Sequence, residues 1–282
     1  MHNTASNRRA GFIFSLLLTL LFASAFYLKI PDPLPEPVNP APVLISYSSL
    51  EKRVTVPDFA SIRDVKQKKQ TFFDFLQPFI DSKNAEILKQ RDVLLNIVDT
   101  IVSGTALDFR DKYFLRELSR IYEMPTEDVL NLNYLQRLLW RVDVIPPSLV
   151  LAQAANESAW GTSRFAKEGY NFFGQWCYTQ GCGLVPNRRR VSAIHEVKSF
   201  SSIEEAVNAY FMNINTFPSY QFLRLIRQDL RQNKQTIDGI SLAEGLGSYS
   251  ERGEGYVQEL RVLINNNKLL MRDHIITLPL QD

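Results

Sequence analysis

Residues 153–161 read Gln153-Ala154-Ala155-Asn156-Glu157-Ser158-Ala159-Trp160-Gly161, and they end an apolar stretch that opens at Pro146-Pro147. The proline pair marks a helix start, Leu149-Val150-Leu151 is the apolar run behind it, and Gly161 predicts the stop. Val150, Ala154 and Glu157 fall at i, i+4 and i+7, so Glu157 shares a face with apolar neighbours. Burial there penalises the ionised carboxylate, and so does a helix C-terminus. Both effects raise the carboxyl pKa, which a general acid needs if it is to keep its proton near neutral pH. The structural alternative is an ion pair, with Arg164 as the nearest partner in sequence.

The rest of the chain narrows the chemistry. Its 282 residues are 45% hydrophobic and 22% charged, an ordinary composition for a globular body with a real core. The net charge is +2, and residues 1–29 hold Arg8, Arg9 and Lys29 without any acid, so the remainder carries −1. A nearly neutral body argues against nucleic acid as a partner. Arg188-Arg189-Arg190 is a compact basic cluster, read as a solvated turn.

Arg8 and Arg9 precede an apolar stretch of 18 residues, Gly11 to Leu28, and Ala23-Ser24-Ala25 offers a small-residue cleavage pattern. Residues 1–29 are therefore expected to be a signal peptide or signal anchor that delivers the body outside the inner membrane, to the periplasm. Six prolines between Pro31 and Pro42 make residues 30–60 a semi-rigid linker and extended entry. Cys177 and Cys182 are the only cysteines, and in an exported protein so close a pair reads as a disulfide. With only His195 nearby, no metal is expected.

Residues 61–141 read as a helical N-terminal region. Phe72, Phe75, Leu76 and Phe79 mark one helix, and Leu94 to Ile101 a second that ends at Gly104. Phe114, Leu115, Leu118 and Ile121 mark a third. Thr126 is the expected N-cap of a fourth that carries Val129 to Leu139. Residues 142–275 form the chemical domain. An aromatic loop, Tyr170 to Trp176, leads to a small hairpin over Gly183–Phe200, and Ser201 with Glu204 predicts a capping box. Behind it Ile203, Ala206, Val207, Tyr210, Phe211 and Ile214 form an amphipathic helix. Further helical patterns lie around Leu223–Leu230 and Tyr256–Asn265.

His195-Glu196 lacks the second histidine of a metalloprotease, and there is no serine elbow and no phosphate-binding loop. Carboxylates and aromatics remain. Glycosidic hydrolysis needs an acid and usually a second carboxylate. Glu157 is the acid candidate and Glu196, on the hairpin, the second. Trp160, Phe173, Trp176, Tyr249 and Tyr256 offer flat faces for sugar rings, although each is also an ordinary core residue type.

Ala155-Asn156-Glu157-Ser158-Ala159-Trp160-Gly161 resembles the A-x-E-S-x-W-G signature of bacterial glucosaminidases of glycoside hydrolase family 73. Asn171-Phe172-Phe173-Gly174 is similar to the N-L-F-G turn of that family, and Ala193-Ile194-His195-Glu196 occupies the place of its second glutamate. Leu246-Gly247-Ser248-Tyr249, up to Tyr256, is similar to its closing tyrosine motif. The whole chain resembles the Bax-type enterobacterial proteins. The resemblance implies a mainly α fold: a lysozyme-like helical domain with a small β-hairpin, preceded by the helical N-terminal region. It implies cleavage of the β-1,4 bond after N-acetylglucosamine in peptidoglycan glycan strands, without cofactor. Glu157, Glu196 and Tyr249 take the catalytic positions, and Trp160, Asn171, Phe173, Trp176 and Tyr256 are expected to bind substrate. A muramidase or lytic transglycosylase on the same fold, or a wall-binding module without catalysis, remains the alternative.

Overall fold

The computed structural model describes residues 54–273, apart from 127, 188 and 190–193. The apolar stretch 11–28, the proline run, and residues 188 and 190–193 of the expected hairpin lie outside them. Among the described residues no helix is long and apolar enough to cross a membrane. The architecture is mainly helical with one small antiparallel sheet. In chain order the elements are α1 (Val65–Val102), α2 (Phe109–Ile121), α3 (Leu132–Arg141), α4 (Pro147–Glu157), α5 (Arg164–Gly169), β1 (Trp176–Cys177), β2 (Gly183–Leu184), β3 (Glu196–Lys198), α6 (Ile203–Thr216), α7 (Gln221–Gln232), α8 (Gly239–Ala243) and α9 (Glu254–Asn266).

The two helices expected over Phe72–Phe79 and Leu94–Ile101 are one helix, α1, of 38 residues. Its buried stripe runs without a break from Phe72 to Ile97, but Gln77, Asn84 and Gln90 occupy three of its positions. These polar residues hide the continuity in the sequence, and they are buried because their bonds are made. Asn84 donates to the Ile145 carbonyl at 2.9 Å and accepts from the Ile145 amide at 3.0 Å. Gln90 accepts from the Tyr122 hydroxyl at 2.9 Å. Pro78 lies on the exposed side, and Gly104 leaves the helix at φ +75°.

Two further caps are displaced from the expected positions. α3 starts after Asn131, not Thr126, because the Asn131 side chain accepts from the amides of Asn133 and Tyr134. The capping box of α6 is Ser202 with Glu205, one residue later than Ser201 with Glu204. Ser202 Oγ takes the Glu205 amide at 3.1 Å, and Glu205 reaches back to the Ser201 amide at 2.7 Å. The hairpin gains a third strand: β3 lies between β1 and β2 and is antiparallel to both.

α4 is the central element. Every residue from Pro147 to Ala155 is buried, as expected of a helix that is apolar all round. α1, α8 and α9 pack around it. One apolar core runs through the described residues, from Phe59 and Phe72 on the α1 side to Tyr256 and Leu260 in α9.

Candidate active site

α4 stops at Glu157, before Gly161, because the next turn is left-handed. Ala159, Trp160 and Gly161 have φ of 50°, 59° and 73°. Ala and Trp rarely adopt this region, so neighbouring bonds must hold them there. Ser158 Oγ donates to the Ala154 carbonyl at 2.6 Å and accepts from the Gly161 amide at 2.8 Å. The Trp160 amide donates to Ala155 at 2.9 Å. A Cβ on Gly161 would lie 2.4 Å from the Phe59 ring. Serine and glycine at these places thus build the turn that presents Glu157.

The Glu157 side chain is half-buried. Its Oε1 accepts from the Tyr256 hydroxyl at 2.9 Å, and that oxygen in turn accepts from Gln153 Nε2 at 3.0 Å. Gln153 Oε1 accepts from the Tyr210 hydroxyl. Beside Oε2 the chain passes close at Gly174, where a Cβ would lie 3.2 Å from that oxygen and φ is +63°. Burial raises the Glu157 carboxyl above its ordinary range, against the opposing pull of the Tyr256 hydroxyl and Arg252. Arg164, the partner in the alternative ion-pair reading, faces Glu168 at 3.8 Å.

Tyr249 lies against this group. Its ring stacks on Tyr256 with centroids 5.6 Å apart and planes at 6°. Its hydroxyl donates to the Phe173 carbonyl at 2.6 Å. Phe173 is buried and stacks on Tyr210 at 4.3 Å. Asn171 is buried too, and it folds the loop rather than opening to solvent. Its amide nitrogen donates to the carbonyls of Gln175 and Lys198, and its oxygen accepts from the amides of Phe173 and Gln175. The disulfide Cys177–Cys182 is formed, with Cα atoms 6.2 Å apart.

Glu196 shares no hydrogen-bond partner with Glu157 among the described residues. It opens β3 opposite Cys177, and its two oxygens accept from the amides of Gly181 at 3.1 Å, within the loop that the disulfide closes, and Gly183 at 2.8 Å, just beyond it in β2. These amides hold its carboxyl below the ordinary range. The Cys177 and Cys182 sulfurs lie within 4.8 Å of a Glu196 oxygen, an arrangement that could invite a metal ion, but the sulfurs are spent on each other.

Among the aromatics, Trp160 is wedged against Phe73 and Phe72 at 5.4 and 5.7 Å, with the Lys69 ammonium 4.9 Å above its ring. Tyr256 is fully buried. Trp176 is 50% exposed, with His195 edge-on at 4.2 Å, and offers the open face that a sugar ring needs. Gln153 and Tyr210 join Glu157 without having been singled out in the sequence. Gln153 lies one helical turn before Glu157 on the same face, and that spacing was the available signal.

The glucosaminidase family, described as mannosyl-glycoprotein endo-beta-N-acetylglucosaminidase, matches residues 133–269. Protein bax of Escherichia coli (strain K12) is 30% identical over 224 residues, which is 79% of this chain and 78% of that protein. No solved structure matched the chain.

Proposed function

The chain belongs to the Bax-type family of glucosaminidase-domain proteins, so its substrate contains glycan, and on that premise we propose that it hydrolyses the β-1,4 bond after N-acetylglucosamine in peptidoglycan. Glu157 is the general acid. The observation that supports this most is the half-buried carboxyl at the end of α4, raised by burial yet oriented by Tyr256. Such a group can hold a proton for the leaving oxygen and give it up as the bond breaks. Trp176 provides a flat wall for a neighbouring sugar.

Glu196 holds two amides and would have to release both before it could act on water. Attack on C1 by the substrate's own acetamido oxygen needs no second carboxylate, and this is the route we favour. In this reading the body works in the periplasm, delivered or tethered by residues 1–29.

Digestion of purified sacculi tests the assignment. New reducing ends of N-acetylglucosamine are expected, first formed with retained anomeric configuration. Muramic acid ends would favour the muramidase reading, inversion would restore Glu196 as the base, and binding without cleavage would favour a wall-binding module.

Tyr256→Phe gives a separate check. It removes the donor that stabilises ionised Glu157, so the acid keeps its proton to higher pH and the basic limb of the rate profile moves to alkaline pH. Urea melts should show a loss of about 1–2 kcal/mol, because Gln153 Nε2 loses its acceptor as well. An unmoved basic limb would remove Tyr256 from the acid's control.

A further inference from the structure

At the opposite end of α4 from Glu157, about 15 Å of helix away, a cavity of about 150 Å³ opens between α1, α3 and α7. Arg91, Arg224 and Arg231 line it, with Asp143 as the one carboxylate among its lining residues. Arg227 is buried beside them, with Nε 3.7 Å from Asp143 Oδ2. Three guanidinium groups, those of Arg91, Arg227 and Arg231, thus pair with one carboxylate, and Arg224 lines the same cavity without pairing with it.

Asp143 is bound most closely by Arg231, whose Nε and Nη2 donate to it at 2.6 and 2.5 Å, and its Oδ2 also lies 3.4 Å from Arg91 Nη1. The hydrogen bonds of the other arginines go to backbone carbonyls. Arg91 Nη1 donates to Leu139 and Val142, and Arg224 Nη1 to Ile214 and Phe217. Those bonds use one nitrogen of each guanidinium. Nε and Nη2 of Arg91 and Arg224, and Nη1 of Arg231, make no hydrogen bond among the described residues. Trp140 also lines the cavity, and its buried indole N–H has no partner.

Burial and mutual repulsion work against this charge. Burial pushes Arg224 and Arg227 each down to about 10; Arg141 adds to this at Arg224, while at Arg227 Asp143 opposes it and Arg91, Arg231 and Arg224 add to it. Carbonyl dipoles offset only part of an excess that a bound anion would neutralise.

The geometry points to a binding site for a small oxyanion, a phosphate or carboxylate group, held by Arg91, Arg224 and Arg231 away from the candidate active site. The inference does not depend on the proposed hydrolysis. Gln228 lines the same cavity, is partly buried, and makes no hydrogen bond among the described residues. Glutamate in its place would supply the missing negative charge with little change of shape.

The test is calorimetry of the full chain in inorganic phosphate against chloride of equal ionic strength, with acetate as a second arm. In wild type, phosphate at about 100 times its Kd should raise Tm by roughly 5–10 °C, and beyond that only with the logarithm of its concentration. Gln228→Glu should melt higher than wild type without phosphate and lose the phosphate response. A response to acetate as well would make carboxylates ligands; phosphate alone would restrict the site to phosphate. No excess over chloride in wild type, or a response that survives in Gln228→Glu, would overturn the site.

Discussion

Replacing Glu157 by Gln should lower glycan cleavage by about 10²–10⁴-fold, the contribution of a positioned general acid, while making the protein more stable at neutral pH. Both effects have one cause. Burial raises the folded-state pKa of Glu157 above its unfolded value, so the native state binds that proton more tightly than the unfolded chain does. Stability from this group is present below the ordinary carboxyl pKa and is lost as pH rises through the shifted one. Glutamine never ionises, and its oxygen still accepts from Tyr256. The variant's Tm should therefore exceed wild type at pH 7, and the difference should close below about pH 4. Turnover of sacculi and calorimetry at the two pH values measure both halves. Wild-type turnover would remove Glu157 as the acid, whereas unchanged Tm would remove only the cost of its burial.

Asp143→Ala should be the most destabilising single change outside the candidate site, at about 3–5 kcal/mol. A folded domain of this kind holds about 5–15 kcal/mol in total. Burial on its own would raise the Asp143 carboxyl, but Arg91, Arg227 and Arg231 outweigh it and hold the pKa well below the ordinary range. Its Oδ1 also accepts the Val144 amide at 2.8 Å. Removing the carboxylate leaves the arginines facing one another with no counter-charge. With its folded pKa depressed, Asp143 contributes stability above its ordinary pKa and loses it as pH falls through the lower folded value. Asp143→Asn should consequently show a large deficit in urea at pH 7 that narrows toward pH 3. A deficit under about 1 kcal/mol at pH 7 would mean that the carbonyl bonds alone hold the arginines.

Much of this arrangement was legible because local signals agreed with the tertiary structure. Pro146-Pro147 and the run after it gave α4, and the spacing from Val150 to Glu157 put Glu157 at its end. Reading failed where the deciding partner is distant in sequence. Asn84 and Gln90 look like breaks in an apolar stripe until Ile145 and Tyr122 satisfy them. Glu196 alternates like a residue facing a cleft, yet the amides that capture it flank Cys182, the second cysteine of the disulfide. Trp160 has the composition of a sugar platform, and only the left-handed turn reveals that it faces α1 instead. The caps at Asn131 and Ser202 lie close to those expected, since several residues nearby can serve and side-chain geometry decides among them.

That contact between Trp160 and α1 bears on how the protein could be trimmed. The family-matched portion begins at residue 133, beyond the whole of α1. Excising it as a minimal module would take away Phe59, Phe72 and Phe73, leaving Trp160 and Gly161 facing water at the base of the strained turn. The residues carrying the family's signature and those bracing it thus lie on separate stretches of sequence, and a library that varies one while fixing the other would misjudge which substitutions the turn at Glu157 tolerates.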